Sequence, residues 1–222
     1  MTRFLHSLAA TAIFVLSMAA PASAGAVHTD VPETVDPNAR YLIYLHGARP
    51  ESFPLSEPHP TRGIFKYNKF VSAFAAGGLE VISELRIEKT NPRRYARTRT
   101  LEQVKALIAK GVPAHHITVA GFSKGGLMAL IVATQAKQPK QPKLNIVNMA
   151  GCGKGQFRKA YENFLANDAS KMSGRMLSIY DSKDKNSGSC KETGAKSAQL
   201  AFEEIVLEVG AGQDTFYTPR KA

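Results

Sequence analysis

The sequence predicts an α/β fold in which a mostly parallel central sheet of about six strands carries helices on both faces, as three α/β/α layers. Short apolar runs of strand length alternate along the chain with segments of helical spacing. The first run, Tyr41–Leu45, is almost continuously apolar, as expected for a strand that is covered on both sides. The pentapeptide 121–125, Gly-Phe-Ser-Lys-Gly, stands between a strand-like and a helix-like segment. Together these observations indicate parallel strands linked by helices.

The first 24 residues have the pattern of a secretory signal peptide. Arg3 precedes an apolar run over residues 8–20, and Ala-Ser-Ala at 22–24 has the small-x-small form of a cleavage site. The run is too short for a stable membrane span. We therefore expect cleavage after Ala24 and export to the periplasm or the medium. No later segment is long and apolar enough to cross a bilayer, so the sequence predicts a protein that is not embedded in a membrane.

Residues 25–40 are predicted to form an N-terminal arm, and residues 41–222 a single domain. In its first half, the predicted elements are strand 41–45, loop 48–65, helix 67–76, strand 80–85, charged loop 87–98 and helix 100–110. Four prolines exclude regular structure from the first loop. Both helices have apolar residues at helical spacing and are followed by a glycine, Gly77 and Gly111.

The second half of the domain continues the same alternation. The predicted elements are strand 116–120, helix 126–136, strand 144–149, helix 156–166, strand 176–180, helix 191–201 and strand 204–209. The first of these helices is apolar on all sides, which predicts that it is buried. Pro139 and Pro142 interrupt the chain after it.

The central serine of the pentapeptide 121–125 is the candidate nucleophile, because the sequence reads G-x-S-x-G between a strand and a helix. Glycines on either side permit a strained turn that presents Ser123 at the end of the strand. Acyl chemistry at this serine also requires backbone N–H donors for the oxyanion. We predict these donors to be the amides of Lys124 and of Ala48, in the loop after the first strand. An ordinary turn with a small residue at its tip is the alternative.

An acid that orients a catalytic base is predicted after strand 176–180. Asp184 has the better spacing there, with Asp181 in reserve, and both are alternatively ordinary turn residues. We also predict that Gly47, Phe122 and Glu84 contact the substrate. Glu84 alternatively pairs with a neighbouring basic residue, either Arg86 or Lys124.

Cys152 and Cys190 are the two cysteines of the chain, and export predicts that they form a disulfide. Both follow predicted strands, and neighbouring strand ends meet the distance limits of such a bond. Neither a Cys-x-x-Cys pattern nor clustered histidines accompany them, so we predict no metal site. Nothing in the sequence indicates an organic cofactor.

The formal net charge is +11, and it falls to +10 when Arg3 is removed with the signal peptide. Six basic residues cluster in a short segment, namely Arg86, Lys89, Arg93, Arg94, Arg97 and Arg99. The segment contains Tyr95 but no recognisable nucleic-acid-binding module, so a solvated basic face is favoured over a nucleic-acid site. Binding of an anionic polymer in the cell envelope is a weaker alternative.

In these motifs the chain resembles a small group of signal-bearing bacterial α/β-hydrolases. The matching residues are Tyr44-Leu45-His46-Gly47, 81–86, 111–113, 121–126, Ala150-Gly151-Cys152, 177–181, Ser189-Cys190 and 216–219. The resemblance covers nearly all of the chain after the signal peptide. It implies a minimal α/β-hydrolase fold, a Ser–Asp–His triad and an ester-like substrate.

The chain departs from this resemblance at the triad histidine. The family pattern places a Gly-His pair between the last strand and Phe216, where this chain has Gln213 or Asp214. No histidine follows His116. Glutamine does not accept and return a proton near neutral pH, so it does not replace the base.

Other residues are weaker candidates for the missing base. The histidines at 115–116 begin the strand that leads to Ser123, and a strand of that length would place them about 23–27 Å away. His59, in the proline-rich loop, is the more plausible substitute, whereas His46 is expected to be structural. Lys124 would require a pKa lowered by burial. Two hypotheses remain: an exported serine hydrolase acting on an ester, weakened by the lost histidine, or a non-catalytic relative that binds a small ligand in the cell envelope.

Overall fold

The computed structural model describes residues 24–135, 144–155 and 158–217. The strands in these residues are β1 (Val27–His28), β2 (Tyr41–Leu45), β3 (Glu80–Ile82), β4 (Ile117–Phe122), β5 (Asn145–Met149), β6 (Gly174–Asp181) and β7 (Leu200–Leu207). They form one sheet in the order β1-β3-β2-β4-β5-β6-β7, and every neighbouring pair is parallel. The parallel sheet predicted from the alternating pattern is confirmed.

Helices cover both faces of this sheet. They are α1 (Tyr67–Ala76), α2 (Pro92–Tyr95), α3 (Leu101–Ala109), α4 (Lys124–Gln135), α5 (Arg158–Asn167) and α6 (Lys191–Lys196). The larger core cluster lies between the sheet and α3, α4 and α5, and the apolar helix α4 is almost wholly buried within it. A smaller, aromatic-rich cluster lies on the opposite face, under α1.

Several element predictions needed correction. The sheet has seven strands where about six were predicted, and the added one is Val27–His28 of the predicted arm, which pairs with β3. The predicted charged loop 87–98 contains α2, and a π-helical turn, Ala96–Thr100, joins α2 to α3. Its many arginines are good helix formers, and Asn91 caps α2 by accepting a hydrogen bond from the Arg94 amide. The last strand begins at Leu200, where helix had been predicted to residue 201.

Some expectations fall on residues whose structure is not described. These are the signal peptide up to residue 23, the chain breaks at Pro139 and Pro142, and the end of the 216–219 motif. Among residues 24–135, 144–155 and 158–217, no helix combines the length and the hydrophobicity needed to cross a membrane.

A disulfide joins Cys152 to Cys190, as predicted, with a Cα–Cα distance of 5.5 Å. Cys152 follows β5 and Cys190 immediately precedes α6. Both residues are buried in the larger core cluster. The bond therefore fastens α6 to the end of β5, close to the edge of the sheet where the strands terminate.

Replacing both cysteines with alanine is expected to lower the free energy of unfolding by about 4 kcal/mol. The bond closes a loop of 38 residue steps, which restricts the unfolded chain more than the folded one. Urea denaturation of the oxidised protein and of the Cys152→Ala/Cys190→Ala variant measures the difference. Unchanged stability would show that the bond does not constrain the unfolded chain.

Candidate active site

Ser123 lies in a sharp turn between β4 and α4, with a φ of +53° that is strained for a residue with a side chain. The flanking glycines make the turn possible. A Cβ at Gly121 would lie 2.1 Å from the carbonyl oxygen of Gly125, and a Cβ at Gly125 would lie 1.9 Å from that of Leu45. Because no side chain fits at either position, β4, α4 and β2 approach each other closely at this edge.

Two cavities adjoin the half-buried Ser123. The first, of about 240 Å³, is mainly aromatic and basic, and its walls include Phe53, Phe65, Phe122, Tyr217, Arg49 and Arg62. The second, of about 230 Å³, is mainly apolar, and its walls include Pro92, Leu127, Ala150, Gly151, Ala160 and Tyr161. Ser123 and Ala48 line both cavities. A substrate bound across Ser123 therefore has space on either side of the hydroxyl.

Ala48 and Lys124, whose amides are the predicted oxyanion donors, both line the second cavity together with Ser123. Lys124 is the first residue of α4, so its N–H has no acceptor within the helix. The Ala48 amide belongs to the peptide whose carbonyl is Gly47, and this oxygen accepts hydrogen bonds from His46 Nδ1 at 2.6 Å and Arg86 Nη2 at 3.1 Å. In a trans peptide the C=O and N–H point in opposite directions. Anchoring the carbonyl therefore fixes the direction of the Ala48 N–H.

A buried ion network holds this loop in place. Glu51 accepts a hydrogen bond from Arg86 Nε at 2.9 Å and another from Lys124 Nζ at 2.5 Å. Both Glu51 and Arg86 are almost fully buried. His46 accepts the Arg86 backbone N–H on Nε2 at 3.0 Å, and burial together with the Arg86 charge lowers the pKa of His46 to about 3. The histidine is therefore a neutral structural group near pH 7.

Glu84 belongs neither to this network nor to the walls of the two cavities beside Ser123. The structure therefore does not support the predicted contact between Glu84 and the substrate. Its carboxylate accepts hydrogen bonds from the Tyr95 hydroxyl at 2.5 Å and from Arg99 Nε at 3.0 Å. It borders a separate surface cavity of about 570 Å³. The predicted pairings of Glu84 with Arg86 or Lys124 are also wrong, because Glu51 binds both of those cations. In contrast, Gly47 and Phe122 line the first cavity.

The two candidate acids have different environments. Asp181 ends β6 and accepts hydrogen bonds from the Lys183 amide at 2.9 Å and the Thr215 hydroxyl at 3.2 Å. Burial disfavours its charged form, but these bonds and those from the amides of 211–212 lower its pKa overall. Asp181 therefore has a structural role, because it fixes the segment after β7.

Asp184 leaves one carboxylate oxygen without a partner. Oδ1 accepts hydrogen bonds from the amides of Asn186 at 2.7 Å and Ser187 at 3.1 Å, whereas the buried Oδ2 has no partner among the described residues. Burial raises the pKa of this carboxyl, although the two amide bonds oppose the shift. Asp184 thus has the free acceptor that an acid needs in order to orient an imidazole.

Gln213 occupies the wall of the first cavity, which Ser123 also lines. Its side chain is mostly buried and donates to Ser187 Oγ at 3.3 Å, in the loop that follows Asp184. Its Oε1 accepts a hydrogen bond from Arg62 Nη1 at 3.0 Å, and Arg62 also forms an ion pair with Asp214 at 3.0 Å. The Gln213 side chain therefore lies between the acid loop and the proline-rich loop.

No protein-family model and no curated protein matches this chain. Solved structures do match its fold. An inhibitor-bound esterase B from Lactobacillus rhamnosis has a TM-score of 0.51 at 10% identity, over 77% of this chain and 66% of that one. An acetyl xylan esterase from Paenibacillus sp. R4 has a TM-score of 0.51 at 14% identity, over 80% of this chain and 71% of that one. The chain has the α/β-hydrolase fold.

The chain spans about two thirds of the length of those esterases, and the low identity establishes the fold alone. The seven-stranded parallel sheet agrees with the minimal fold expected from the sequence. Among the described residues, no group of three histidine, cysteine or acidic side chains is placed to hold a metal ion.

His59 lines the same cavity as Ser123, but its hydrogen bonds do not suit a base. Its Nδ1 accepts the Thr61 backbone N–H at 3.2 Å, so the neutral ring carries its proton on Nε2. Partial burial and the nearby charges of Arg62 and Arg49 lower its pKa. His59 is consequently a neutral group whose Nδ1 lone pair is already engaged by the Thr61 amide.

The remaining alternatives for the base are also disfavoured. Lys124 is paired with Glu51, and an ammonium group in an ion pair has no lone pair to accept a proton. His115 and His116 precede β4, at the opposite end of that strand from Ser123. Three residues of the site were not predicted from the sequence: Glu51, Arg62 and Ser187. Each lies in a loop without a motif, so no local signal distinguishes it.

Proposed function

We propose that this chain is an exported serine hydrolase of the α/β-hydrolase type, that it acts on an ester, and that it lacks an efficient base. The observation that carries this proposal is Ser123 in its strained turn, where two cavities meet beside the amides of Ala48 and Lys124. Export is supported by the signal-like leader and by the disulfide between Cys152 and Cys190.

In the proposed reaction, Ser123 Oγ attacks the ester carbonyl carbon and loses its proton. The carbonyl oxygen becomes an oxyanion, which the amides of Ala48 and Lys124 stabilise. Collapse of this intermediate breaks the bond to the alcohol, which takes up a proton, and leaves an acyl group on the serine. Water then hydrolyses the acyl-enzyme. The Gln213 carboxamide cannot carry the proton, so water must do so, and the reaction is slow.

The second candidate function is ligand binding without turnover. The observation that favours it is the set of hydrogen bonds that Gln213 makes with Arg62 and Ser187. Through these bonds, the neutral Gln213 amide is held in the position where the family pattern places the histidine. Under this alternative, the two cavities hold a small ester-like ligand that is released unchanged.

Labelling with a fluorophosphonate probe, together with hydrolysis of a short-chain aryl ester, separates these functions. We expect slow labelling that is lost in Ser123→Ala. Aryl ester turnover should exceed the uncatalysed rate by roughly 10³–10⁴-fold, the level that oxyanion stabilisation and binding alone provide. Ser182→Ala, which alters a half-buried serine that bonds Glu208, is the matched control and should label at the wild-type rate. A folded protein that shows neither labelling nor serine-dependent turnover supports the binding function instead.

A further inference from the structure

The first cavity beside Ser123 has two cationic side chains in its wall. Arg49 and Arg62 both line it, and their side chains are only 14% and 23% exposed. No aspartate or glutamate is among the described residues that form this wall. A guanidinium group that is shielded from water attracts an anion more strongly than an exposed one does. The charge of the wall therefore favours a ligand that carries a negative group.

Both arginines have N–H groups left over for such a ligand. In the part of the chain that the structure describes, Arg49 donates only through Nη2, to two backbone carbonyls and, at 3.4 Å, to the Glu57 carboxylate. Arg62 uses Nη1 for Gln213 and Nε for Asp214. The side chains of these two acids are 47% and 41% exposed, so solvent weakens both ion pairs. Since a guanidinium group has five N–H donors, neither arginine is saturated.

Aromatic rings supply much of the remaining wall. Arg49 Cζ lies 4.3 Å from the centre of the Phe53 ring, and Arg62 Cζ lies 5.5 Å from the centre of the Tyr217 ring. Such rings also pack well against a flat aromatic ligand. The cavity measures about 240 Å³, and a cavity of about 150 Å³ already holds benzene. A benzene ring with one carboxylate therefore matches this cavity in size, surface and charge.

The position of the expected base indicates which part of an ester lies here. In a serine hydrolase the base returns the serine proton to the leaving alcohol, so the alcohol part lies on the side of the base. Gln213 stands where the base is expected and lines the first cavity but not the second. The second cavity is mainly apolar, and Lys124, its only cation among the described residues, is paired with Glu51. The acyl chain then fits the second cavity, and the alcohol part fits the first.

We propose that the first cavity selects a carboxylate on the alcohol part of the ester, so that the substrate class is a short-chain acyl ester of a hydroxybenzoate. Arg49 and Arg62 supply the charge that recognises the carboxylate. Hydrolysis adds one water and releases a short-chain fatty acid and the hydroxybenzoate. The direction of the ester rests on the proposed hydrolase function, whereas recognition of the anion is a property of binding and needs no turnover.

Binding of 3-carboxyphenyl butyrate to the Ser123→Ala protein, followed by ligand-observed NMR titration, measures this recognition without turnover. The comparison ligand is 3-carbamoylphenyl butyrate, which has nearly the same shape and no charge. At low salt we expect the dissociation constant of the carboxylate to be about tenfold lower, because charge-assisted hydrogen bonds are stronger than neutral ones. Raising sodium chloride from about 0.02 to about 0.5 M should reduce this preference.

Three variants in the same Ser123→Ala background assign the preference to the cavity. Arg49→Met should reduce it from about tenfold to about threefold, because one of two cations is lost while the apolar stem beside Phe53 is kept. Arg49→Lys keeps the charge and should retain more of the preference than Arg49→Met does. Arg175→Met is the matched control, because it removes the same charge from an exposed position on β6 that lines neither cavity. Circular dichroism melts verify that every variant is folded.

Two binding results would overturn the proposal. Equal affinity for the two esters, or binding of neither, would show that the cavity does not select an anion, and this comparison needs no arginine variant. A preference that stays at its full value in Arg49→Met would show that the carboxylate is bound elsewhere.

Turnover by the protein with Ser123 intact tests the hydrolase function separately. The rate for each ester is divided by its uncatalysed rate, which removes the difference between the two leaving groups. A binding preference without turnover of either ester would reject the hydrolase function and leave anion recognition standing. Equal relative turnover together with equal binding would reject anion recognition and leave the hydrolase function standing.

Discussion

Replacing Gln213 with histidine is expected to increase kcat/KM for a short-chain aryl ester by about 10²–10⁴-fold. Gln213 lines the cavity that Ser123 also lines, and its side chain bonds Ser187 in the loop after Asp184. Asp184 Oδ2 is buried without a partner, so it can accept the Nδ1–H of an imidazole at this position. The other imidazole nitrogen would then take the serine proton and return it to the alcohol.

Two further variants test whether the gain comes from the imidazole base and its acceptor. Gln213→Asn keeps the amide but supplies no base, so it should not raise turnover. Adding Asp184→Asn to Gln213→His should remove most of the gain, because the imidazole loses its acceptor. The gain should also disappear as the pH falls below about 6.5, where an ordinary imidazole becomes protonated. A Gln213→His protein that folds but gains no turnover at pH 8 would contradict our placement of the base.

Replacing Arg86 with methionine is expected to lower the free energy of unfolding by about 3–5 kcal/mol. Arg86 is 4% exposed and pairs with Glu51, which is also buried. Without Arg86, the buried Glu51 carboxylate would lose one of its two cationic partners and would retain only Lys124, which is partly exposed. The carbonyls of His46 and Gly47 would also lose a donor, so the Ala48 amide would be less well fixed.

Denaturation by urea measures this loss, and Arg99→Met is the matched control. Arg99 also forms salt bridges, with Glu84 and Asp30, but its side chain is 36% exposed. Solvent screens such pairs, so the control should cost about 1 kcal/mol or less. In a Gln213→His background, Arg86→Met should lower kcat more than it raises KM, because the Ala48 amide acts on the oxyanion. If Arg86→Met and Arg99→Met lower the free energy of unfolding equally, the buried ion pair stabilises the fold no more than the exposed ones do.

The features predicted correctly from sequence are those with a local cause. The strands β2, β4 and β5 are short apolar runs, and α1, α3 and α4 show apolar spacing or an apolar surface all round. The turn at Ser123 also has a local signal, because both of its glycines lie within two residues of the serine. In contrast, β1 has two residues and no pattern, and it becomes a strand only by hydrogen bonding to β3.

The sequence by itself therefore determined the α/β alternation, the serine turn, the absence of a histidine after residue 116 and the pairing of the two cysteines. Only the tertiary structure decided which groups surround the serine. Glu51 lies 35 residues from Arg86 and 73 from Lys124, and Arg62 lies 151 residues from Gln213. Such contacts depend on where distant loops meet at the end of the sheet, and no local pattern of residues encodes that meeting.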